Sequence, residues 1–522
     1  YSLMQLGVDF TGPLADGASG RITALYRDRD TQVDFLNSKR LFISPAIRFD
    51  IGDDTRLTLL ANYQDDDLDN QTTGFLPAAG TMLPNPLGKV PVGRNLGETG
   101  YNFFKREQWS AGYDFSHRFN DRVELQQNLK YFDVKVNSRA VFGTGLLDAD
   151  FDGVPDDFRT VTRSDFPFNE RIDSLTVDTR GKFTFETGGV EHSLLVGVDY
   201  RDYDGFSEFG FAGAPSIDLF DPVYDSVIPP ATLFPFIDET REQMGVYVQD
   251  HVKAGGFVLT LNGRNDWVDR KPTGGGTQDD EEFTYRAGVN YVFDNGISPY
   301  LQTSTSFEPV SGATFDGVPF EPTSGDQIEA GIKYDGRTLG RGVRLFGSLA
   351  AYEIVQENVL TPDPDNLFFN VQEGEVEVKG VELEVSARIR ERLTFNLALT
   401  SIDSEVTKTT DPAVLGNELV AVPDMLASAL VDYTFQEGTL AGFGFGLGLR
   451  YRGEMFGDAA NQFQSDDVTV YDAILHYDTA NWRIAVNASN FTDEIFVDRC
   501  SSLSNCFYGT RRLVTGSVTR KF

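Results

Sequence analysis

Hydrophobic and polar residues alternate along this chain with a period of two. The stretch "FGFGLGLRYR" sets Phe443, Phe445, Leu447, Leu449 and Tyr451 on one face, with Gly444, Gly446, Gly448, Arg450 and Arg452 on the other. "LTFNLALT" sets Leu393, Phe395, Leu397 and Leu399 against Thr394, Asn396, Ala398 and Thr400. "WRIAVNAS" (482–489) and "FTYRAGVNYVF" (283–293) repeat the division. Successive side chains of a strand point to opposite faces, so the pattern predicts β-strands with one apolar and one polar side. No stretch carries the period of a long amphipathic helix.

About 21 such runs follow one another, from "SLMQLGVDF" to Phe522. Their connections alternate in length. Short turns fall at "DIGDDT" (50–55), "FNDR" (119–122), "ETGGVE" (186–191), "KAGG" (253–256), "FDNG" (293–296), "RER" (390–392) and "DTAN" (478–481). Long polar stretches occupy roughly 65–102, 141–165, 205–237, 308–324, 356–376, 406–421 and 493–508. A soluble sandwich mixes loop lengths at both ends through its Greek-key crossings. Tight turns at one end and long loops at the other are the pattern of a transmembrane antiparallel up-and-down β-barrel, with the apolar face toward lipid. The expected fold class is therefore all-β, with residues 1–522 forming one barrel domain. Barrels of this kind close with an even strand number, which predicts one strand upstream of Tyr1 and 22 in all. In the last strand, Val514, Val518 and Phe522 share one face and Thr515, Ser517, Thr519 and Lys521 the other. Arg520 interrupts the apolar side at the rim, where a long cationic side chain reaches water.

Composition narrows the function. The formal net charge of −34 excludes general nucleic-acid binding, which needs a basic footprint. The 42 Phe and 20 Tyr exclude a disordered acidic chain. The two cysteines, Cys500 and Cys506, fit one small disulfide loop in an oxidising compartment better than a metal site. The four histidines fall on separate strands and no phosphate loop or Cys/His cluster is present, so no catalytic function is expected. One acidic stretch, "DADFDGVPDDF", spaces Asp148, Asp150, Asp152, Gly153 and Asp156 as in the first nine positions of a calcium loop, with the Val154 carbonyl at the seventh. Arg159 stands where the closing glutamate belongs, so a Ca2+ shell needs a further ligand. "DDDLDN" (65–70) lacks that spacing and reads as a solvated face.

Several segments carry a family likeness. "SFEPVSGATFDGVPFEPTSGDQIEAGIKYD" (305–335), "GVELEVSARI" (380–389), "NASNFTDEIF" (487–496) and "CFYGTRRLVTGSVTRKF" (506–522) resemble TonB-dependent siderophore receptors, nearest the ferrichrome (hydroxamate) type. The likeness extends through "GVYVQD" (245–250), "NGRNDW" (262–267) and "YVFDNGISPY" (291–300). It implies an outer-membrane barrel of a Gram-negative bacterium, monomeric among lipid and lipopolysaccharide. It further implies a ferric siderophore as cargo, and TonB as energy source through upstream plug residues outside this sequence. On the family's ligand pocket the likeness places Phe75, Phe142 and Phe209 at aromatic positions. Thr73, Thr144 and Ser501 stand where larger aromatics are usual, which weakens the case for ferrichrome itself. Other cargo of the same superfamily (another siderophore, a vitamin or a glycan) and a plugless passive pore are the competing expectations.

Overall fold

The computed structural model describes residues 2–71, 75–150, 153–271, 276–310, 312–336, 340, 342–363 and 370–522. All regular elements among them are strands: β1 (Leu3–Ala15), β2 (Ala18–Asp30), β3 (Asn37–Ile51), β4 (Thr55–Asp69), β5 (Phe103–Asn120), β6 (Val123–Leu146), β7 (Thr160–Thr187), β8 (Val190–Phe209), β9 (Ala212–Asp218), β10 (Phe234–Ala254), β11 (Phe257–Lys271), β12 (Gln278–Tyr291) and β13 (Ile297–Glu308). They continue with β14 (Thr323–Asp335), β15 (Val343–Pro362), β16 (Asn370–Ile389), β17 (Leu393–Lys408), β18 (Met425–Thr434), β19 (Phe443–Arg452), β20 (Met455–Phe456), β21 (Gln464–Ser465), β22 (Val468–Asp478), β23 (Trp482–Ser489), β24 (Val497–Ser502), β25 (Asn505–Tyr508) and β26 (Leu513–Arg520). Twenty-two of these belong to one sheet, while β20–β21 and β24–β25 are separate two-stranded pairs within loops.

The strand count agrees with the sequence pattern once β9 is placed. β8 pairs with β7 up to Phe209 opposite Phe168, and β9 resumes on the same β7 with Ala212 opposite Asp165. β9 is thus the continuation of β8 past a break at Gly210 and Phe211. The chain also falls into two compact units. The first comprises Tyr1–Ala254, Thr260–Tyr285 and Pro309–Pro322, and the second Gly255–Leu259, Arg286–Glu308 and Thr323–Phe522.

The two faces of the strands behave as the alternation predicts. In the second unit, Phe445 and Leu447 are exposed while Gly444 and Gly446 are buried. The glycines leave room for bulky neighbours: a Cβ at position 444 would lie 2.3 Å from the His476 ring. In the first unit, Met244, Val246 and Val248 stand exposed in alternation, as do Val196, Val198 and Tyr200 across the ladder. Apolar surface on this scale is stable only under lipid. Aromatic residues mark its borders. Tyr63 pairs with Trp109, which packs on Tyr131 at 5.3 Å, toward the loop ends. Phe119, Phe183 and Phe185 lie at the short-turn ends. In the second unit, Tyr433, Phe435, Phe443, Tyr477 and Trp482 take the short-turn position. Arg520 stacks on Trp482 and Phe522, 5.2 and 4.6 Å from the ring centres, and so does not face lipid bare.

The short turns are tight because their residues allow it. Gly188 and Gly189 both take positive φ, 59° and 84°, the geometry whose twist matches a two-residue hairpin. Arg390 and Glu391 do the same without glycine, at 50° and 56°. Ion pairs from Arg388 and Arg344 hold the Glu391 carboxylate there.

Several strands outrun the expected borders. β4 reaches Asp69, β7 begins at Thr160 and β16 at Asn370, inside stretches expected to be loops. The "DDDLDN" run is accordingly a strand, and its Asp66 is buried rather than solvated. Its carboxylate accepts from Arg40 and from Arg106 on the two flanking strands. Cross-strand partners cannot be read from a local acidic run.

A single cysteine at 447 should stay unlabelled by a water-soluble thiol reagent in intact membranes, while one at 450 should react. The natural cysteines are bridged and give no background. Labelling at 447 but not 450 would reverse the face assignment.

Candidate ligand site at the loop ends

In the first unit the long connections fold into a framed cap. Among its described residues the segment between β4 and β5 contains no strand, yet Leu76, Ala78, Val90 and Leu96 are almost wholly buried. Val141, Val161 and Ile217 at the loop-side ends of β6, β7 and β9, and Leu219 just after β9, are buried as well. A loop buried this way must satisfy its backbone groups. Arg163 on β7 does much of this. Its guanidinium donates to the carbonyls of Leu96, Gly97 and Pro215 and pairs with Glu98 at 3.0 Å. The other Glu98 oxygen accepts from the backbone N–H groups of Asp225 and Ser226, tying in the β9–β10 loop. Asn102 bridges Gln71 and Val141, and Asn95 donates to the carbonyls of Asp34 and Asn70. Tyr101 donates to Asp165 at 3.0 Å. Burial, then the Asp165 carboxylate, pushes its phenol up to about 12, so it stays a donor at neutral pH.

A continuous group of aromatic rings lies against this frame. Phe75 meets Phe142 edge-on, with ring centres 5.0 Å apart. Phe142 approaches Phe166 and Phe211 at 6.3 and 6.4 Å. Phe166 stacks on Phe209 at 5.4 Å, and Phe209 contacts Phe234 and Phe236 at 4.5 and 5.1 Å. The three aromatics singled out in the sequence therefore join one group, through Phe166. That residue and Phe168, Phe211, Phe234 and Phe236 were missed. Four of them lie in the aromatic–Pro–aromatic repeat "FPF" at 166–168 and 234–236, and Phe211 closes the "FGF" that begins at Phe209. Phe211, Phe234 and Phe236 are about half exposed, so the group offers an apolar surface to water at the loop ends.

The remaining expected residues divide. Thr144 is exposed and shares a hydrogen bond with Thr162 at 2.9 Å. Thr73 lies outside the described residues. Ser501 belongs to the second unit, where it is exposed and accepts from Asn505. It sits on the β24–β25 hairpin, which Cys500 and Cys506 close as a disulfide at directly opposed positions. Nearby, Asp493 binds Arg511 and the Arg512 N–H, which hold its carboxyl far below the usual range. Of the acidic run, Asp152 lies outside the described residues. Asp148 accepts from the Gly153 N–H and Asp156 from the Ala149 N–H, while Asp150 and Val154 are exposed. Among the described residues no three His, Cys, Asp or Glu groups converge to hold a metal.

Farther down the polar face of the first unit is a cavity of about 880 Å³. Asn62, Ser110, Asp178, Asp199, Tyr247 and Arg264 line it, already bonded to one another or to neighbouring wall residues. Two histidines do have carboxylate partners, His192 with Asp250 and His476 with Asp432 and Asp478. Both lie toward the short-turn ends, away from the loops, and serve the wall.

An antiparallel sheet with one apolar and one polar face, aromatic borders and tight turns opposite long loops has the pattern of an outer-membrane β-barrel. Residues 45–491 match the family "TonB dependent receptor-like, beta-barrel", and the chain belongs to it. Over its whole length the chain is 35% identical to the "Ferrichrome outer membrane transporter/phage receptor" of Escherichia coli K12, covering 73% of that protein. It is 31% identical to the "Ferrioxamine B receptor" of Salmonella typhimurium, over 98% of this chain and 73% of that one. Among solved structures, the siderophore receptor PiuA of Acinetobacter baumannii superposes with a TM-score of 0.87. The match covers 99% of this chain and 80% of that one at 20% identity, a likeness of fold.

Glu98→Ala should leave the Arg163 guanidinium buried without its counter-charge, since the two side chains are 2% and 0% exposed. Loss of one partner of such a pair costs roughly 3–5 kcal/mol. The expected result is rapid hydrogen exchange and proteolytic nicking within 75–102, with the sheet still resistant to heat in detergent. Unchanged protection of that loop would show the pair is not its anchor.

Proposed function

We propose that this chain is the barrel of a receptor for ferric siderophores of the hydroxamate type. The observation that carries the reading is the aromatic group from Phe75 to Phe236, set against a buried, hydrogen-bonded loop frame at the long-loop end of the strands. Aromatic faces suit a chelate with an apolar rim, and a few polar groups beside them fix its orientation. Two relatives similar along the whole chain carry ferrichrome and ferrioxamine B in their names, and both compounds are hydroxamate chelates of iron(III). In this reading residues 1–522 act as one domain in the outer membrane, among its lipid and lipopolysaccharide. Energy comes from TonB, contacted by parts of the full-length protein outside this sequence. A calcium ion in the acidic loop would order the segment beside Phe142. Asp150→Asn should then weaken calcium uptake in a calorimetric titration at millimolar calcium.

The test is growth of an iron-starved strain lacking its own hydroxamate receptors and carrying the full-length gene. Ferrichrome or ferrioxamine B should restore growth, and a catecholate siderophore should not. Phe142→Ala and Phe166→Ala should each lower iron uptake roughly tenfold, as loss of a central aromatic anchor does, with the protein still assembled in the membrane. Growth on a catecholate alone, or uptake indifferent to both substitutions, would remove the hydroxamate reading.

A further inference from the structure

The apolar face of the second unit carries a notch at its loop-side border. Leu301 on β13, Ala330 on β14, Ala351 on β15, Val381 on β16 and Ser401 on β17 stand opposite one another in turn, one row across five strands. Leu301 and Val381 are about half exposed, as is Ile328, one row nearer the loops. Between these larger side chains the two alanines leave a groove of about 520 Å³. In the row of Ile328, Glu353, Lys379 and Asp403 follow on β15, β16 and β17 and form the rim of the groove. On its other side the face stays apolar, with Ile332, Leu349, Leu383 and Leu399 in one row. The groove therefore straddles the line where the lipid-facing surface meets charge. In the first unit Trp109 and Tyr131 mark that border. On β14 to β17 these two border rows hold no aromatic ring.

The occupant follows from the place and the charges. The apolar face of a membrane barrel is covered by lipid. An unfilled notch forfeits dispersion contacts, which a flexible acyl chain lying in it restores. At the rim, Lys379 bonds Glu377 at 2.5 Å and stands between Glu353 and Asp403 on the flanking strands. Three carboxylates against one ammonium repel a headgroup that carries phosphate alone, and accept one that carries an ammonium beside it. In phosphoethanolamine an oxygen and two carbons separate the phosphorus from the nitrogen, close to the spacing of about 4.8 Å between neighbouring strands. A phosphate on Lys379 thus sets the ammonium at Asp403, which is exposed and joined by no ion pair among the described residues. We infer that this groove holds one phosphatidylethanolamine, with an acyl chain over Ala330 and Ala351 and the headgroup across Lys379 and Asp403. The inference is independent of which siderophore the aromatic group takes.

The test is native mass spectrometry of the protein expressed from the full-length gene and purified from outer membranes in mild detergent. It is mixed with phosphatidylethanolamine, phosphatidylglycerol or phosphatidylcholine at equal concentration. One tightly held phosphatidylethanolamine is expected. Phosphatidylglycerol lacks the ammonium, and the quaternary nitrogen of phosphatidylcholine donates no hydrogen bond. Each should bind roughly tenfold more weakly, the usual worth of one charge-assisted bond. Asp403→Asn should erase the preference over phosphatidylglycerol, while Lys379→Gln should weaken both lipids. Ala351→Leu fills the groove, alters no charge and should weaken all three lipids alike. Arg388→Gln, at the short-turn end of β16 where Arg388 pairs with Glu391, should change nothing. Equal retention of the three lipids, indifference to Ala351→Leu, or a copurifying lipopolysaccharide that phosphatidylethanolamine does not displace would overturn the site. The comparison of lipids needs no variant, so it decides even where a substitution prevents assembly.

Discussion

Everything in this protein depends on one demand: in lipid, each backbone N–H and C=O must find its partner within the chain. Long antiparallel ladders meet it. β6 and β7 stay paired from Val123–Phe183 to Leu146–Val161, with one register shift near Gly143. Once the backbone is satisfied this way, side chains can only alternate. The period-two pattern is the direct consequence, and the exposed apolar face its necessary partner.

The polar face is then free to carry charge, and it does so in cross-strand pairs. Asp66 between Arg40 and Arg106 and Arg450 on Asp472 link neighbouring strands, and Arg264 on β11, held by Asp266 of its own strand, reaches past β10 to Asp199 on β8. The Gly444–His476 contact shows the same economy by other means, a missing side chain on one strand admitting a ring from the next. These contacts fix register, because a one-residue slip would turn every pair toward lipid.

At the loop ends the constraint changes. Water is available, so the ladders can stop, and the chain uses the freedom to build a site. A buried arginine, Arg163, replaces the ladder as organiser by collecting carbonyls of the β4–β5 loop and of β9 and the carboxylate of Glu98. The rings from Phe75 to Phe236 owe their position to that frame. Residues facing water at the tip of the hairpin closed by Cys500 and Cys506 are held by a covalent bond instead, where no core could form.

The sequence by itself determined the strands, their faces, the alternation of turns and loops, and the disulfide. Each of these is local: period two needs only neighbouring residues, a tight turn only its glycines, and a six-residue cysteine spacing only a short hairpin. Three of the site's aromatics were legible through likeness to a family, since loop residues carry no periodicity of their own. Tertiary structure decided the rest. Phe166 joins Phe142 to Phe209 only because β6, β7 and β8 align, and Arg163 reaches Glu98 across a sequence separation of 65. Asp66 reads as one of several solvated acids until β3 and β5 bring a guanidinium to each side of it. Pairing between strands is set by register summed over whole ladders, and no short window of sequence contains that sum.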